Sequence, residues 1–248
     1  MTFQEKYKKN QNNFIRQRKL TCLRTVLLIL RKSSKSLQPI LNEFFYELGE
    51  SSVTKPSFSK ARRNLKYEAV PELNQKAVVE VCYQGNDYQT WHGFRVLAID
   101  GSKIRLPNTP EIIEHFGQIR YANQREEVTG SHAYSQTSVL YDLYNRRAIH
   151  AHLAAARADE VDLAIEQPLP KLTDDSRLVA DRAYADYRFL AQLIDNPLAF
   201  VIRCGANSFL AVRKMLAGLG DDEQLVTIKV PNHPVKRIKS LGLPRKIT

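Results

Sequence analysis

Cysteine is scarce here and poorly placed for structural chemistry. Cys22, Cys82 and Cys204 are an odd number and lie far apart, which excludes both a disulfide framework and a Cys-x-x-Cys zinc knuckle. They read as three buried thiols. Long apolar runs are missing too. The longest, Thr25–Leu30, is bracketed by Arg24 and Arg31-Lys32 and falls far short of the roughly 20 residues of a membrane-spanning helix. The opening Met1-Thr-Phe-Gln-Glu-Lys6 lacks the charged, apolar and small-residue order of a secretory signal, so a cytoplasmic protein is expected. Internal repeats and low-complexity stretches are absent. A composition of 43% hydrophobic and 25% charged residues over 248 positions excludes general disorder and suffices for one sizeable core plus a small accessory domain.

Acidic residues are rare in the first quarter of the chain. Residues 1–66 hold 15 Lys and Arg against 4 Asp and Glu, whereas residues 67–248 hold 22 of each, so the formal net charge of +11 resides entirely in the front end. A single charge run is ordinarily a solvated helix face. Segregation this complete points instead to a polyanion, since phosphate binding by counterion release needs no sequence readout.

The front end reads as helical. Residues 13–31 predict a packing helix with Leu20, Leu23, Leu27 and Leu30 on one stripe. Leu37, Leu41, Phe44, Phe45 and Leu48 predict a second helix, stopped by Gly49. A third starts with Ser57 as N-cap and runs to Lys66, with Lys60, Arg63 and Lys66 recurring on one face. Three short helices with a basic last one resemble a helix-turn-helix, whose final helix enters the major groove. Lys60, Arg62, Arg63 and Lys66 are the candidate DNA-contacting residues.

Strand signals take over near residue 92. Phe94–Asp100 is an apolar run ended by Asp-Gly, which predicts a buried strand and then a tight turn. Residues 131–144 and 147–155 predict a hairpin about Asn145-Arg146, and residues 159–172 a helix broken by Pro168 and Pro170. Ser176–Asp181 predicts a second buried strand, residues 187–195 a helix stopped by Asn196-Pro197, and Leu198–Arg203 a third strand. Leu225–Val230 predicts a further strand, followed by Pro231, Pro234 and a basic patch at Lys236–Lys239. The expected division is a basic helical DNA-binding domain over 1–70, a linker helix region over 71–91, a catalytic α/β core over 92–206 and the start of a β-rich insertion over 207–248.

Alone, either Asp100-Gly-Ser102 or Asp181-Arg-Ala-Tyr184 could be no more than a strand-ending turn. Together they say more, because each aspartate ends an apolar strand and adjacent strands present their terminal carboxylates at one edge. Converging carboxylates repel unless a cation lies between them. Two magnesium ions, with manganese as a substitute, roughly 3.5–4 Å apart would activate an attacking oxygen and stabilise a leaving one in phosphodiester cleavage.

At this point the residues carry a family likeness. Ile99-Asp-Gly-Ser-Lys-Ile-Arg-Leu-Pro107, Leu178-Val-Ala-Asp-Arg-Ala-Tyr184 and Phe200-Val-Ile-Arg-Cys204 resemble the first two catalytic blocks of the DDE transposases of the insertion-sequence-4 family. Phe58-Ser-Lys-Ala-Arg62 resembles that family's N-terminal segment, so the likeness covers nearly the whole chain. It implies an α/β fold with an RNase H-like mixed sheet flanked by helices, behind a helix-turn-helix-like all-α domain. It further implies magnesium-dependent cleavage and strand transfer on double-stranded DNA, at transposon ends and target, by a homodimer in the complete protein, on the nucleoid of a bacterial cytoplasm. Asp100 and Asp181 become the first two members of the catalytic triad and its metal ligands.

The family's third acid is a Glu in a Tyr-x2-Arg-x3-Glu-x6-Lys signature. Of the tyrosines here only Tyr144 has an Arg three positions on, Arg147, and Ala151 then stands where Glu is required. After Asp181 the only glutamate is Glu223. The likeness therefore implies a C-terminally truncated chain, with Glu beyond Thr248, and leaves open a catalytically incomplete remnant that only binds DNA. It also leaves open another nuclease whose third acid is Asp142 or Asp186. Arg182 could touch phosphate or pair with an acid; Tyr184 could orient the carboxylates or pack beneath them; Ser102 supports the first aspartate. His150 and His152 share a strand face and could share a metal, or form a polar face only.

Overall fold

The computed structural model describes the chain except for residues 17, 32–33, 86, 123–127, 197, 220, 222, 230–241 and 245, with backbone alone at 128–129. Pro197, Val230, Pro231, Pro234 and the basic patch Lys236–Lys239 therefore lie outside the described residues. Two compact units are present, Met1–Ala77 and Val78–Thr248. Among the described residues no helix is long and apolar enough to cross a membrane.

The first unit is built from α1 (Phe3–Tyr7), α2 (Cys22–Leu30), α3 (Leu37–Glu47), α4 (Lys55–Arg63) and α5 (Ala69–Asn74). Caps set the starts: Thr2 forms a capping box with Glu5, Thr21 accepts from the Arg24 amide, and Thr54 accepts from the Ser57 amide. The last of these corrects the expected Ser57 cap, because Thr54 offers its hydroxyl a turn earlier and Pro56 suits the first helical turn. The helix also ends at Arg63, so Lys66 lies beyond it, where its amide donates to the Tyr7 carbonyl.

The leucine stripe proposed for α2 is turned the other way. Leu23, Leu27 and Leu30 are exposed, at 68%, 44% and 56%, while Cys22, Thr25, Val26 and Leu28 are buried. Burial follows two adjoining clusters: Leu28 meets Ile40, Leu41, Phe44, Phe45 and Phe58, and Cys22 with Val26 meets Tyr7, Leu65 and Ala69. α3 buries Leu41, Phe44 and Phe45 as its pattern predicts, but Leu48, the last of the stripe, caps the helix and is exposed; the helical turn ends at Gly49, whose φ of +67° suits a residue without Cβ.

A π-helical turn over Gln75–Val79, which straddles the boundary between the units, leads into α6 (Glu80–Gln84) of the second unit. Then follow β1 (Arg95–Arg105), α7 (Pro110–Phe116), β2 (Gln118–Ala122), β3 (Val128–Asp142), β4 (Arg147–Ala155), α8 (Glu160–Glu166), β5 (Ser176–Ala180), α9 (Tyr187–Asp195), β6 (Ala199–Ile202), α10 (Leu210–Leu216), β7 (Ile228–Lys229) and β8 (Lys246–Ile247). One mixed sheet runs β2-β3-β1-β5-β6, with β4 also on β3; β1, β5 and β6 are parallel and the remaining pairs antiparallel. A two-stranded β7-β8 sheet packs its Ile247 and Ile228 with Tyr187 and Leu190 of α9.

The core lies on the face of the sheet presented by Leu97, Ile99, Leu140 and Leu178, closed over by Phe189 and Leu193 of α9. Both α9 residues are fully buried, and burying such a side chain contributes about 1.5–3 kcal/mol.

Three expectations for this unit change. β1 does not turn at Asp100-Gly101 but continues to Arg105, because β3 is long enough to pair with it through Arg105 and Tyr134. α7 and β2 occupy a stretch for which the sequence analysis named no element, and α10 a stretch read as β-rich; the strand expected over Leu225–Val230 shortens to Ile228–Lys229. The cysteines are not alike: Cys22 is buried, Cys82 half-buried and Cys204 exposed.

Candidate carboxylate site

The parallel register of β1 and β5 brings the two aspartates together. The last rung pairs Ile99 with Ala180, so Asp100 and Asp181 are the next residues on neighbouring strands. The apolar residues before them, Leu97, Ile99, Leu178 and Ala180, point into the core, and the alternation of a strand sends both aspartates to exposed positions. Asp181 is extended, and its Oδ1 accepts from the Ala183 amide at 2.8 Å, capping the short turn Arg182–Tyr184. Asp100 is held less locally, by its place in β1 opposite Val139 of β3.

Sequence reasoning missed a third acid at this edge. Glu160, the first residue of α8, lies over Gly101: a Cβ on residue 101 would come within 2.7 Å of Glu160 Cγ and 2.5 Å of Cδ. This close approach, rather than a tight turn, accounts for the glycine of Asp100-Gly-Ser102. Tyr184 completes the group. It is fully buried, as the packing alternative had it, and its hydroxyl lies against the Glu160 carboxylate. Burial, then the charge of Glu160 and its hydrogen bond with the hydroxyl, then the charges of Asp100 and Asp181, push its ionisation well above the usual tyrosine range. The sole sequence signal for Glu160 was its place after the Asp159 cap, which by itself predicts only a helix start.

An arginine fixes that edge. Arg188, in the first turn of α9, is 7% exposed; its Nε donates to Asp186 at 2.9 Å, an Nη contacts Asp159 at 3.3 Å, and the other Nη donates to Asp162. It joins the starts of α8 and α9, and so positions Glu160 and the turn after Asp181. Asp186 is therefore a partner of Arg188 and not a site acid. Asp142 is removed from the site as well: fully buried, it accepts from Tyr83 Oη at 2.7 Å and from the amides of Tyr144 and Asn145.

Ser102 is exposed; its hydroxyl stands 3.4 Å from that of Thr137, and its carbonyl accepts from Thr137. Arg182 is exposed beside Asp181. His150 and His152 sit opposite Leu140 and Ser138. Among the described residues no three His, Cys, Asp or Glu side chains are placed to hold a metal together, so neither the histidines nor the aspartates form a closed cage. Asp100 and Asp181 nevertheless offer the adjacent oxygen donors suited to magnesium, which keeps several waters and takes only one or two protein carboxylates.

Within residues 1–66 the acids are consumed internally. Glu43, Glu47 and Glu50 pair with Lys35, Arg31 and Arg24, and Glu5 serves the α1 cap. Lys60, Arg62 and Arg63 are exposed and carry no ion pair among the described residues, while Lys66 donates to the Lys6 carbonyl. Lys60 also lines a cavity of about 610 Å³ together with Arg16, Arg18, Lys19 and Asn64. The positive excess is thus concentrated on α4 and the segment before α2.

Residues 91–241 match the Transposase DDE domain family. InsZ of Escherichia coli (strain K12), named as a transposase, is 23% identical over 138 residues, which are 56% of this chain and 45% of that protein. Among solved structures, a piggyBac transposase synaptic complex with hairpin DNA gives a TM-score of 0.41 at 13% identity over 85% of this chain and 46% of that one. A Mos1 mariner paired end complex with Mn gives 0.26 at 9% identity, over 94% and 74%. The chain spans about half the length of the first two.

Proposed function

The chain belongs to the Transposase DDE domain family, and from that premise we propose that it is the DNA-binding and carboxylate-bearing part of a transposase that cleaves transposon ends and joins them to a target. The single observation that carries the reading is the placement of Asp100 beside Asp181, one residue past the Ile99–Ala180 rung, at the edge of the family-matched unit. The β4-β3-β1-β5-β6 order, with antiparallel pairs on one side of β1 and parallel ones on the other, supports an RNase H-like reading of the sheet, and Phe58–Arg62 supports membership of the insertion-sequence-4 group.

In this reading Asp100 and Asp181 hold magnesium, which when bound polarises the attacking oxygen and stabilises charge on the leaving one. The protein's own contribution is placement. β3 pairs with Asp100 itself and β5 with Ile99 before it, and the Ala183 amide orients Asp181. Arg182, exposed next to Asp181, contacts a phosphate oxygen of the bound strand, and Lys60, Arg62, Arg63 and Lys66 neutralise phosphates of double-stranded DNA. The proposed partners are transposon-end and target DNA, with a second copy of the chain, on the nucleoid.

A second reading, binding without cleavage, is favoured by one observation: only two acids stand together at strand ends, and no third described acid shares a metal position with them. One experiment separates the two. Duplex DNA carrying the ends of the element is incubated with the protein and Mg2+, and both retention and nicking are measured. Nicking that disappears in Asp100→Asn and Asp181→Asn, with retention kept, is expected. Equal nicking by Asp181→Asn and the parent overturns the transposase assignment of these residues. Retention without nicking by the parent chain selects the second reading.

A further inference from the structure

We propose that the cavity between α4 and residues 12–20 of the first unit is a pocket for one unpaired nucleotide of DNA, with the base inside and its phosphates at the rim. The inference rests on the reading of the front end as DNA-binding. It deepens that reading from phosphates along a duplex to a nucleotide held out of one.

The cavity encloses about 610 Å³, within the range of pockets that bury a small organic ligand and more than a lone phosphate needs. One wall is a stripe of α4 and its cap, where Ser57, Lys60, Ala61 and Asn64 recur at the spacing of a single helical face. Ser57 and Ala61 are small, which leaves room against the helix. The opposite wall is irregular backbone, in which Phe14 takes a φ of +59° and its carbonyl accepts from Gln4 Nε2 at 3.3 Å. A residue with a side chain is strained in that left-handed region, and such strain gathers where a ligand is clamped. Phe14 packs with one core cluster of the unit, and Leu20 and Val53 with the other. The floor between the clusters is therefore apolar and partly aromatic.

The polar groups select the occupant. Arg16, Arg18, Lys19 and Lys60 line the cavity, and among the described residues no carboxylate does. Lys19 is anchored by the Ser51 carbonyl at 2.7 Å, while Arg16, Arg18 and Lys60 are exposed and carry no ion pair among the described residues. Asn13 lines the cavity too, and its Nδ2 is shut off from solvent with no hydrogen-bond partner among the described residues. A buried donor without an acceptor is unfavourable, and a base entering beside it supplies ring nitrogens and carbonyl oxygens that accept. The flat face of the same base lies on Phe14. Phosphate alone would occupy the cations and leave the floor bare; an apolar ligand would leave the cations unused. A nucleotide uses both. Arg62 and Arg63, exposed on α4 outside the cavity, carry the positive surface onward, which favours a nucleotide within a strand over a free one.

The test is equilibrium binding of the full chain, by fluorescence anisotropy at one fixed salt concentration, with thermal melting as the folding control. The probes are a labelled duplex with a single unpaired adenine and the same duplex fully paired. The bulged duplex is expected to bind about 10-fold tighter, within the range for stacking one base on a protein. An abasic nucleotide in the bulge, which keeps sugar and phosphate, is expected to abolish the preference. Asn13→Leu should reduce it several-fold, and Ser57→Trp, which fills the cavity from α4, should remove it. Equal affinity of the parent for bulged and paired duplex overturns the inference. A preference that survives loss of the base, or persists in Ser57→Trp, overturns it as well. If Ser57→Trp does not fold, Asn13→Leu is read in its place, and a parent-like preference there overturns the inference equally. Free deoxyadenosine monophosphate is expected to compete only weakly; competition as strong as that of the bulged duplex overturns the assignment to DNA. No binding to either duplex overturns the DNA reading of the front end together with the pocket.

Discussion

The carboxyl group of Glu160 occupies the volume that a side chain on residue 101 would need, 2.5 Å from Cδ to the position of a Cβ. Gly101→Ala therefore forces the flexible end of Glu160 aside, and the loss is expected near the lower end of the roughly 1–3 kcal/mol typical of overpacking. In Gly101→Ala with Glu160→Ala the clash disappears. Thermal melts of the two single variants and the double variant are expected to give a coupling of about 1 kcal/mol or more; strictly additive losses would show that the two residues do not touch.

Arg188 presents the sharpest stability test. Replacing it with Leu leaves Asp159, Asp162 and Asp186 gathered without their cation, and removing one partner of a buried ionic network costs about 3–5 kcal/mol. Denaturant unfolding of Arg188→Leu should show that loss. A change below about 1 kcal/mol would contradict the clamp.

Asp142 predicts a defect of structure and not of chemistry. It is fully buried and its carboxylate collects donors from Tyr83, Tyr144 and Asn145, so Asp142→Ala should destabilise by about 3 kcal/mol. Mn2+ affinity measured well below the melting temperature should match the parent. Selective loss of Mn2+ binding in a folded Asp142→Ala protein would return this residue to the site.

Below neutral pH, His150 should weaken the fold. Burial first, then the charges of Lys171 and His152, lower its pKa from the usual value, with Gln167 opposing. Protonation is thus harder folded than unfolded, so the stability present above about pH 6.5 is lost as pH falls from there toward the lower folded value. His150→Gln should flatten the stability profile below about pH 6.5; an unchanged slope would assign it to other groups.

DNA binding by the front end should be electrostatic. Charge reversal at Lys60, Arg62 and Arg63 is expected to weaken duplex binding across sequences and to shrink the salt slope by about 0.9 per lost phosphate contact. Gel shifts across a salt series measure both, and an unchanged slope would move the DNA surface elsewhere.

How far the sequence was legible depends on what each residue's partner is. Leu97, Ile99, Leu178 and Ala180 could be recognised as buried strands because a strand's own neighbours create the pattern, and Asp100 and Asp181 inherited their placement from it. The α2 stripe failed for the opposite reason. Leu23, Leu27 and Leu30 satisfy helical spacing as well as Cys22, Val26 and Leu28 with Thr25 do, and only the positions of α3 and α4 decide which side is buried. Glu160 was illegible because its significance lies in a contact with Gly101, 59 residues away in the sequence. Continuation of β1 past Asp-Gly was hidden likewise, since that dipeptide signals a turn unless a partner strand is long enough to hold it straight.

The central position of β1 also orders events during synthesis. Its antiparallel partner β3 follows within about 40 residues, but its parallel partner β5 arrives only about 80 residues later, as the pairing of Ile99 with Ala180 requires. At about 5–20 residues per second the apolar edge of β1 stays bare for several seconds on the ribosome. Until β5 docks, that edge can pair with any extended chain nearby, so the strand that aligns the two aspartates is also the nascent protein's most exposed route to aggregation.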